Sequence, residues 1–252
     1  MASVGDVPDA TFDDPRIAAL YDPLDPDRGD LDAYIALADD LGARSVLDIG
    51  CGTGVFAILL AELGLAVTGV DPAGASVDVA RRKPGADRVT WGVGEARAAL
   101  PLQVDLVTMT ANVAQVFTTE AAWREVLAAA REALRPGGHL VLETRVVGRR
   151  AWEGWTREAS DGVTDVDGVG PVRAWHEVVR TEEGPDGLLV TFDAMNVLPD
   201  GTELASSSTL RFPTREQVET SLVATGFELV EVRDAPDRPG LEWVFVARRP
   251  GG

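Results

Sequence analysis

One stretch limits the fold of this chain more than any other. In SVLDIGCGTG, Ser45–Gly54, an apolar run ends in an acid and then breaks on glycine at every second position, Gly50, Gly52 and Gly54. A run of that length reads as a buried strand, and glycines without Cβ let the chain turn sharply and let a ligand press against backbone. A helical apolar pattern, Val55–Leu63, follows and is stopped by Gly64. Its first N–H groups lack intrahelical partners and point back at the turn. A second apolar run then ends on Asp71, 17 residues beyond Gly54. Strand, glycine turn, helix and strand together open a parallel sheet, whose ligands lie outside the carboxyl ends of its strands.

The alternation continues. Strands are expected at Ser45–Ile49, Ala66–Val70, Arg88–Gly92, Val104–Met109 and His139–Thr144, with helices at Val55–Leu63, Gly74–Arg82 and Thr119–Leu134. Strands that are apolar on both faces imply a sheet covered by helices on both sides. After Arg145 the pattern changes to three strand-like segments, within 171–183, 187–199 and 201–212, separated by GPDG and PDG. Turn dipeptides between β-rich runs indicate antiparallel hairpins. The helix that follows opens with Thr214 and Gln217, spaced as a capping box. The expected architecture is α/β: a seven-stranded, mostly parallel doubly wound sheet with an inserted antiparallel β subdomain. Its parts are an Asp- and Pro-rich arm or lid with a first helix (1–43), a cofactor-binding core (44–147), an antiparallel insertion on the substrate side (148–212) and the end of the core (213–252). Residues 1–30 are expected to form a loose arm outside the core.

A dinucleotide turn needs G-x-G-x-x-G, but Val55 stands where its last glycine belongs. Asp48, directly before the turn, is awkward for a pyrophosphate and useful for an ammonium-bearing ligand. Asp71 can accept hydrogen bonds from both hydroxyls of a ribose, each charge-assisted bond contributing about 1.5–3 kcal/mol when shielded. The ligand so described carries a ribose and an ammonium but no phosphate.

The successive motifs VLDIGCGTG, VTGVDPA, GVGEARAAL and LRPGGHLVLETR resemble those of class I S-adenosylmethionine-dependent methyltransferases, over about residues 44–146 and the last two strands. The resemblance implies a Rossmann-like methyltransferase fold and S-adenosyl-L-methionine as cofactor, which the ligand description fits better than NAD. It implies further that Asp48, Gly50, Cys51, Gly52 and Gly54 form the cofactor loop, with Cys51 a small packed residue and not a nucleophile. Asp71 and Pro72 would meet the ribose, and Glu95 and Ala96 the adenine, although the family more often carries Asp at the position of Glu95. Thr110 and Asn112 fall where the family meets the methionine part.

Composition narrows the acceptor. A formal charge of −18 and a pI near 4.4 repel a phosphate polymer, and no NPPY-like stretch follows the fourth strand. A small molecule is expected, with an aromatic or polyketide-like metabolite as the leading class, and no nucleic acid or membrane as partner. One cysteine and two histidines exclude an internal disulfide and argue against a zinc centre. With no apolar leader or long apolar run, the chain reads as cytoplasmic, acting as a monomer or homodimer.

A sulfonium methyl is already electrophilic, so catalysis needs alignment first and a base only if the acceptor keeps its proton. His176, on the inserted sheet, is the base candidate, because its ordinary pKa lies near neutrality. Tyr21, in the arm, is the other catalytic candidate. Glu143 and Arg145 end the fifth strand and, with Gln115 and Trp152, are expected to contact substrate. Two alternatives stay open on sequence: an enzyme that uses the bound sulfonium without transferring methyl, and a non-catalytic cofactor-binding module.

Overall fold

Strand residues point alternately to opposite sides, so a sheet buried on both faces must put consecutive apolar residues into two cores. The computed structural model, which describes residues 10–251, shows this division. The arm forms short helices α1 (Ala10–Asp13), α2 (Pro15–Ala18) and α3 (Tyr21–Leu24), followed by α4 (Asp32–Asp40). The core then runs β1 (Ser45–Ile49), α5 (Val55–Glu62), β2 (Ala66–Asp71), α6 (Gly74–Ala80), β3 (Val89–Val93), β4 (Val104–Met109), α7 (Glu120–Ala133) and β5 (Leu134–Arg145). After α8 (Arg157–Ser160) come β6 (Gly162–Val166), β7 (Gly170–Gly184), β8 (Gly187–Val197) and β9 (Glu203–Phe212). The chain closes with α9 (Arg215–Ala224), β10 (Glu228–Asp234) and β11 (Glu242–Arg248).

The main sheet has seven strands in the order β10-β11-β5-β4-β1-β2-β3, with β11 antiparallel to both neighbours. Leu47, Val107 and Leu142 face α7 and α9, where Trp123, Leu127 and Leu222 complete one core. Their strand neighbours Val46, Leu106 and Val141 face α4 and α5 and pack with Tyr34, Phe56 and Leu60. Full burial of each such side chain contributes about 1.5–3 kcal/mol. Chain order reverses between β1 and β4, which opens a crevice above their carboxyl ends. The second sheet, β6-β7-β8-β9, is antiparallel throughout. Among the described residues no helix is long and apolar enough to cross a membrane.

Local signals behave as the sequence suggests. Thr119 Oγ1 accepts from the Ala122 amide at 3.2 Å and starts α7, whose Trp123, Val126, Leu127 and Ala130 share one buried stripe. The capping box of α9 is formed, Thr214 N donating to Gln217 Oε1 at 2.8 Å and Gln217 N to Thr214 Oγ1 at 3.2 Å.

Three expectations are corrected. First, the fifth strand begins at Leu134 and not His139, because Gly137 N donates to Arg249 O and Arg249 N to Gly138 O, both at 2.8 Å. Those partners come from the far end of the chain and draw Pro-Gly-Gly into the ladder. Second, the antiparallel sheet has a fourth strand, β6, in a Gly- and Asp-rich segment whose ladder bonds are supplied by the long β7. Third, the described part of the arm is not loose. Asp14 caps α2, with Pro15 at its first position, and Ile17 and Leu20 are buried against Val166, Val172 and Leu204 of the second sheet. Residues 1–9 lie outside the described residues.

Candidate active site

The glycine turn sits at the carboxyl end of β1, where Gly50, Gly52 and Gly54 all have positive φ, +71°, +51° and +80°. Their reasons differ. A Cβ on Gly50 would fall 2.6 Å from Val113, and one on Gly54 would fall 2.4 Å from Trp91. Those two glycines allow close packing of the turn. A Cβ on Gly52 would meet nothing within 4 Å, so this residue leaves its space open to a ligand. Gly54 starts α5 without any side-chain cap, which keeps the helix N–H groups available. Cys51 is buried, its sulfur lies 3.1 Å from where a Cβ on Gly69 would stand, and burial beside Asp48 and Asp71 pushes its thiol pKa far up. It is a neutral packing residue.

Two acids face this turn. Asp71, 8% exposed, accepts from Gly52 N at 2.9 Å through one oxygen and from Ala73 N at 2.8 Å through the other. Burial raises its pKa against those two bonds. Asp48, 2% exposed, accepts from Thr108 Oγ1 at 2.8 Å, and burial with the nearby Asp71 charge lifts its pKa to about 7. Among the described residues, neither carboxylate has a basic side chain as a hydrogen-bond or ion-pair partner. Buried carboxylates without a counter-charge must either hold a proton or meet a cation. At the crevice rim Pro72 and Glu95 are exposed, the latter in extended backbone. The Ala96 side chain is packed in the core, so only its backbone is free to border a ligand. Thr110 is buried at the end of β4.

Directly after Thr110 the backbone is strained. Ala111 and Asn112 take consecutive left-handed conformations, φ 54° and 60°, without being glycine, at a cost of about 1–3 kcal/mol each. Hydrogen bonds hold the strain: Asn112 N donates to Glu143 Oε1 at 3.0 Å, and its Nδ2 to Glu242 Oε1 at 2.9 Å. The side chain of Asn112 is thus turned toward β5 and β11 and away from the glycine turn. Glu143 is buried at the end of β5, and burial plus the Glu242 charge raises its pKa to about 8. Arg238 Nη1 donates to Glu242 Oε1 at 2.9 Å. Glu242 and Arg238 belong to the chain's last strand and its preceding loop. No local motif marks them, and only the antiparallel pairing Glu242↔Arg145 brings them here.

Arg145 is held between Gln115 Oε1, 3.0 Å from its Nη1, and the Trp155 ring, whose centroid is 5.2 Å from its guanidinium carbon. Gln115 is fully buried, and its amide also donates to Arg211 O at 2.9 Å. It therefore ties β5 to β9. Trp152, 7% exposed, meets Phe212 with ring centroids 4.6 Å apart and Val190 beside it, and with Trp155 it also lines a surface cavity. Trp155 packs on the same Phe212 ring, centroids 6.0 Å apart, and also borders Arg145 and, at 6.4 Å, His176. His176 also meets Phe192 edge-on, and burial lowers its pKa, so the ring is neutral at pH 7. Trp175 stands apart, with Arg157 4.1 Å from its ring centroid.

The arm crosses this crevice. Thr53 Oγ1, in the glycine turn, donates to Asp22 Oδ1 at 2.7 Å, and Lys83 Nζ pairs with Asp22 Oδ2 at 2.5 Å. Ser76 Oγ donates to Phe12 O at 2.7 Å. Tyr21, 37% exposed, packs on Phe12 and lies within electrostatic reach of Arg145. Contacts and electrostatic reach thus link Tyr21, Arg145, Trp155 and His176 in a chain, with Glu143 two residues before Arg145, while Asp48 and Asp71 stand at the glycine turn.

Comparison with known proteins agrees with this geometry. Residues 46–138 match a family model described as a methyltransferase domain. The cypemycin N-terminal methyltransferase of a Streptomyces species is 34% identical over 122 residues, 48% of this chain and 49% of that protein. The chain thus spans about half the length of that curated relative. Among solved structures, the sugar N-methyltransferase KedS8 of a Streptoalloteichus species superposes with a TM-score of 0.72 at 20% identity, over 99% of this chain and 97% of that one. The amino pentose methyltransferase CalS10 of Micromonospora echinaspora, solved with S-adenosylmethionine bound, gives 0.65 at 24% identity, over 92% and 95%. Fold, glycine turn and matched domain converge: residues 46–138 match a methyltransferase domain, and the chain shares the fold of solved S-adenosylmethionine-dependent methyltransferases.

Proposed function

We propose that this protein transfers a methyl group from S-adenosylmethionine to a small-molecule acceptor. One observation carries the reading: Asp48 and Asp71 are buried beside the open face of Gly52 with no basic partner among the described residues. A ligand that brings positive charge and hydroxyl donors satisfies both acids, and a pyrophosphate satisfies neither. Asp71 keeps lone pairs on both oxygens for ribose hydroxyls. Asp48 supplies a negative field for the cationic end. Pro72, Glu95 and the Ala96 backbone border the adenine side, and Thr110 the methionine side.

When bound, this cofactor supplies an electrophilic methyl on sulfur. The chain's own task is to orient the acceptor and to exclude water. Asp22, bonded to Thr53 and Lys83, holds the arm over the turn. Arg145, Trp155, His176 and Tyr21 wall the acceptor side. Neutral His176 is able to take a proton from an acceptor that needs it. The sugar and amino pentose methyltransferases of similar fold, together with the net charge of −18, support a small molecule over nucleic acid. Titration calorimetry with S-adenosylhomocysteine tests the reading: saturable one-to-one binding is expected, and no heat of binding would overturn it.

A further inference from the structure

Glu143, Glu242 and Asn112 do chemistry that the cofactor reading does not use. Glu143 and Glu242 come from adjacent antiparallel strands and are 4% and 2% exposed. Each accepts through its Oε1: Glu143 from Asn112 N, and Glu242 from Asn112 Nδ2 and Arg238 Nη1. Among the described residues the second oxygen of each carboxyl has no hydrogen-bond donor. Asn112, itself 3% exposed, leaves its carbonyl Oδ1 without any partner. Of these acceptors only Asn112 Oδ1 is fully buried without a partner; Glu143 Oε2 also has no donor among the described residues, while Glu242 is already paired with Arg238 and lies 4.0 Å from Arg145. Acceptor excess in a buried place is costly unless a ligand supplies N–H or O–H groups. Glu143 is a carboxyl without a basic partner in hydrogen-bond or ion-pair contact among the described residues, so the donor it suits best is cationic.

This cluster also stands next to the reaction space. Val113, one residue beyond Asn112, packs on Gly50 of the glycine turn, and Arg145, two residues beyond Glu143, reaches Trp155. We propose that Glu143, Glu242 and Asn112 dock a basic amine of the methyl acceptor and that Glu143 takes the proton which the amine must lose to become a nucleophile. The inference rests on the methyltransferase reading and names its substrate class, an amine in place of an aromatic or polyketide hydroxyl. The proton step balances within the pair: an ammonium and the Glu143 carboxylate become a neutral amine and a carboxylic acid. Glu242 keeps its bond to Arg238. The charged groups facing Glu143 are Glu242, Arg145, Arg238 and Asp237, with Tyr21 acting through Arg145.

Cyclohexylamine and its isostere cyclohexanol serve as probes, titrated calorimetrically into the full chain alone and saturated with S-adenosylhomocysteine. Cyclohexylamine is expected to bind at least about tenfold more tightly than cyclohexanol, the worth of one charge-assisted hydrogen bond. Run at pH 7 in buffers of different ionisation enthalpy, its binding is expected to release a proton from Glu143. Glu143→Gln and Glu242→Gln should each abolish the preference for amine over alcohol, and the former should abolish the proton release, while S-adenosylhomocysteine affinity stays unchanged. Amide variants keep shape, and unchanged homocysteine-cofactor affinity reports that they fold; Glu143→Asp should restore part of the amine preference. Equal binding of amine and alcohol, no amine binding, or variants that keep the preference would overturn the inference. Failure of S-adenosylhomocysteine itself to bind would instead sink the cofactor reading.

Discussion

The amide of Gly52 donates to Asp71 Oδ2 at 2.9 Å, tying the glycine turn to the acid that closes β2 across 19 residues of sequence. One bond thus sets the shape of the turn and the aim of the carboxylate together. The second oxygen is fixed by Ala73 N at 2.8 Å, so the acid is pre-oriented before any ligand arrives, which lowers the entropic cost of binding.

Replacing Asp71 should therefore damage binding more than folding. Asp71→Ala is expected to weaken S-adenosylhomocysteine affinity by about 100-fold, the loss of two hydrogen bonds to a charged acceptor. Its melting temperature should change little, because removal of a buried, uncompensated carboxylate offsets the lost backbone bonds. Calorimetric affinity and thermal melting, measured on the same preparation, check both halves.

Gly52 and Gly54 should fail differently. Gly52→Val places a side chain in the open crevice at φ +51°, so binding should be lost while the strain costs about 1–3 kcal/mol. Gly54→Ala would put a methyl 2.4 Å from Trp91 and 2.7 Å from Ala80, so the damage should appear first as lost stability, about 2 kcal/mol or more. Urea unfolding separates the two; equal destabilisation would contradict the division of roles.

Stability should fall as pH rises above neutrality. Asp48 and Glu143 have folded pKa values raised to about 7 and about 8. The folded state therefore binds more protons than the unfolded chain above the ordinary carboxylate range, and stability declines with pH until both have ionised. His139 and His176, whose folded pKa values are lowered by burial, act with the opposite sign, but only below their ordinary value near 6.5. Melting temperatures between about pH 6.5 and 8.5 should thus decrease, and Glu143→Gln should flatten the slope. A wild-type melting temperature that rises across that interval would contradict the assignment.

Trp152 and Trp155 should separate packing from acceptor contact. Trp152→Ala removes a buried ring packed on Phe212 and should cost about 3–5 kcal/mol in unfolding free energy. Trp155→Leu should cost less and act on the acceptor side, because its ring borders Arg145 and His176. Unfolding curves for the two variants give the comparison.

The arm should govern cofactor exchange. Asp22→Ala removes the acceptor of Thr53 and the partner of Lys83, so dissociation of S-adenosylhomocysteine should quicken by about three- to tenfold, with a smaller change in association. Stopped-flow tryptophan fluorescence reads both rates.

Much of this protein is written locally. Period and punctuation alone locate the strands of the main sheet, because short apolar runs between glycine and proline stops admit few other conformations. Val55, standing where a dinucleotide turn needs glycine, and Asp71, closing a strand, are legible for the same reason: their meaning depends on neighbours within about one βαβ unit. The residue types of Gln115 and Trp152 suit a pocket as well as a core. Arg211 O and Phe212, both about 60–100 residues away, decide which they occupy. Glu242 and Arg238 carry no local signal at all. Antiparallel pairing of β11 with β5 sets Glu242 opposite Arg145 and beside Glu143, and burial there, which no linear pattern records, lifts Glu143 well above the ordinary carboxylate range.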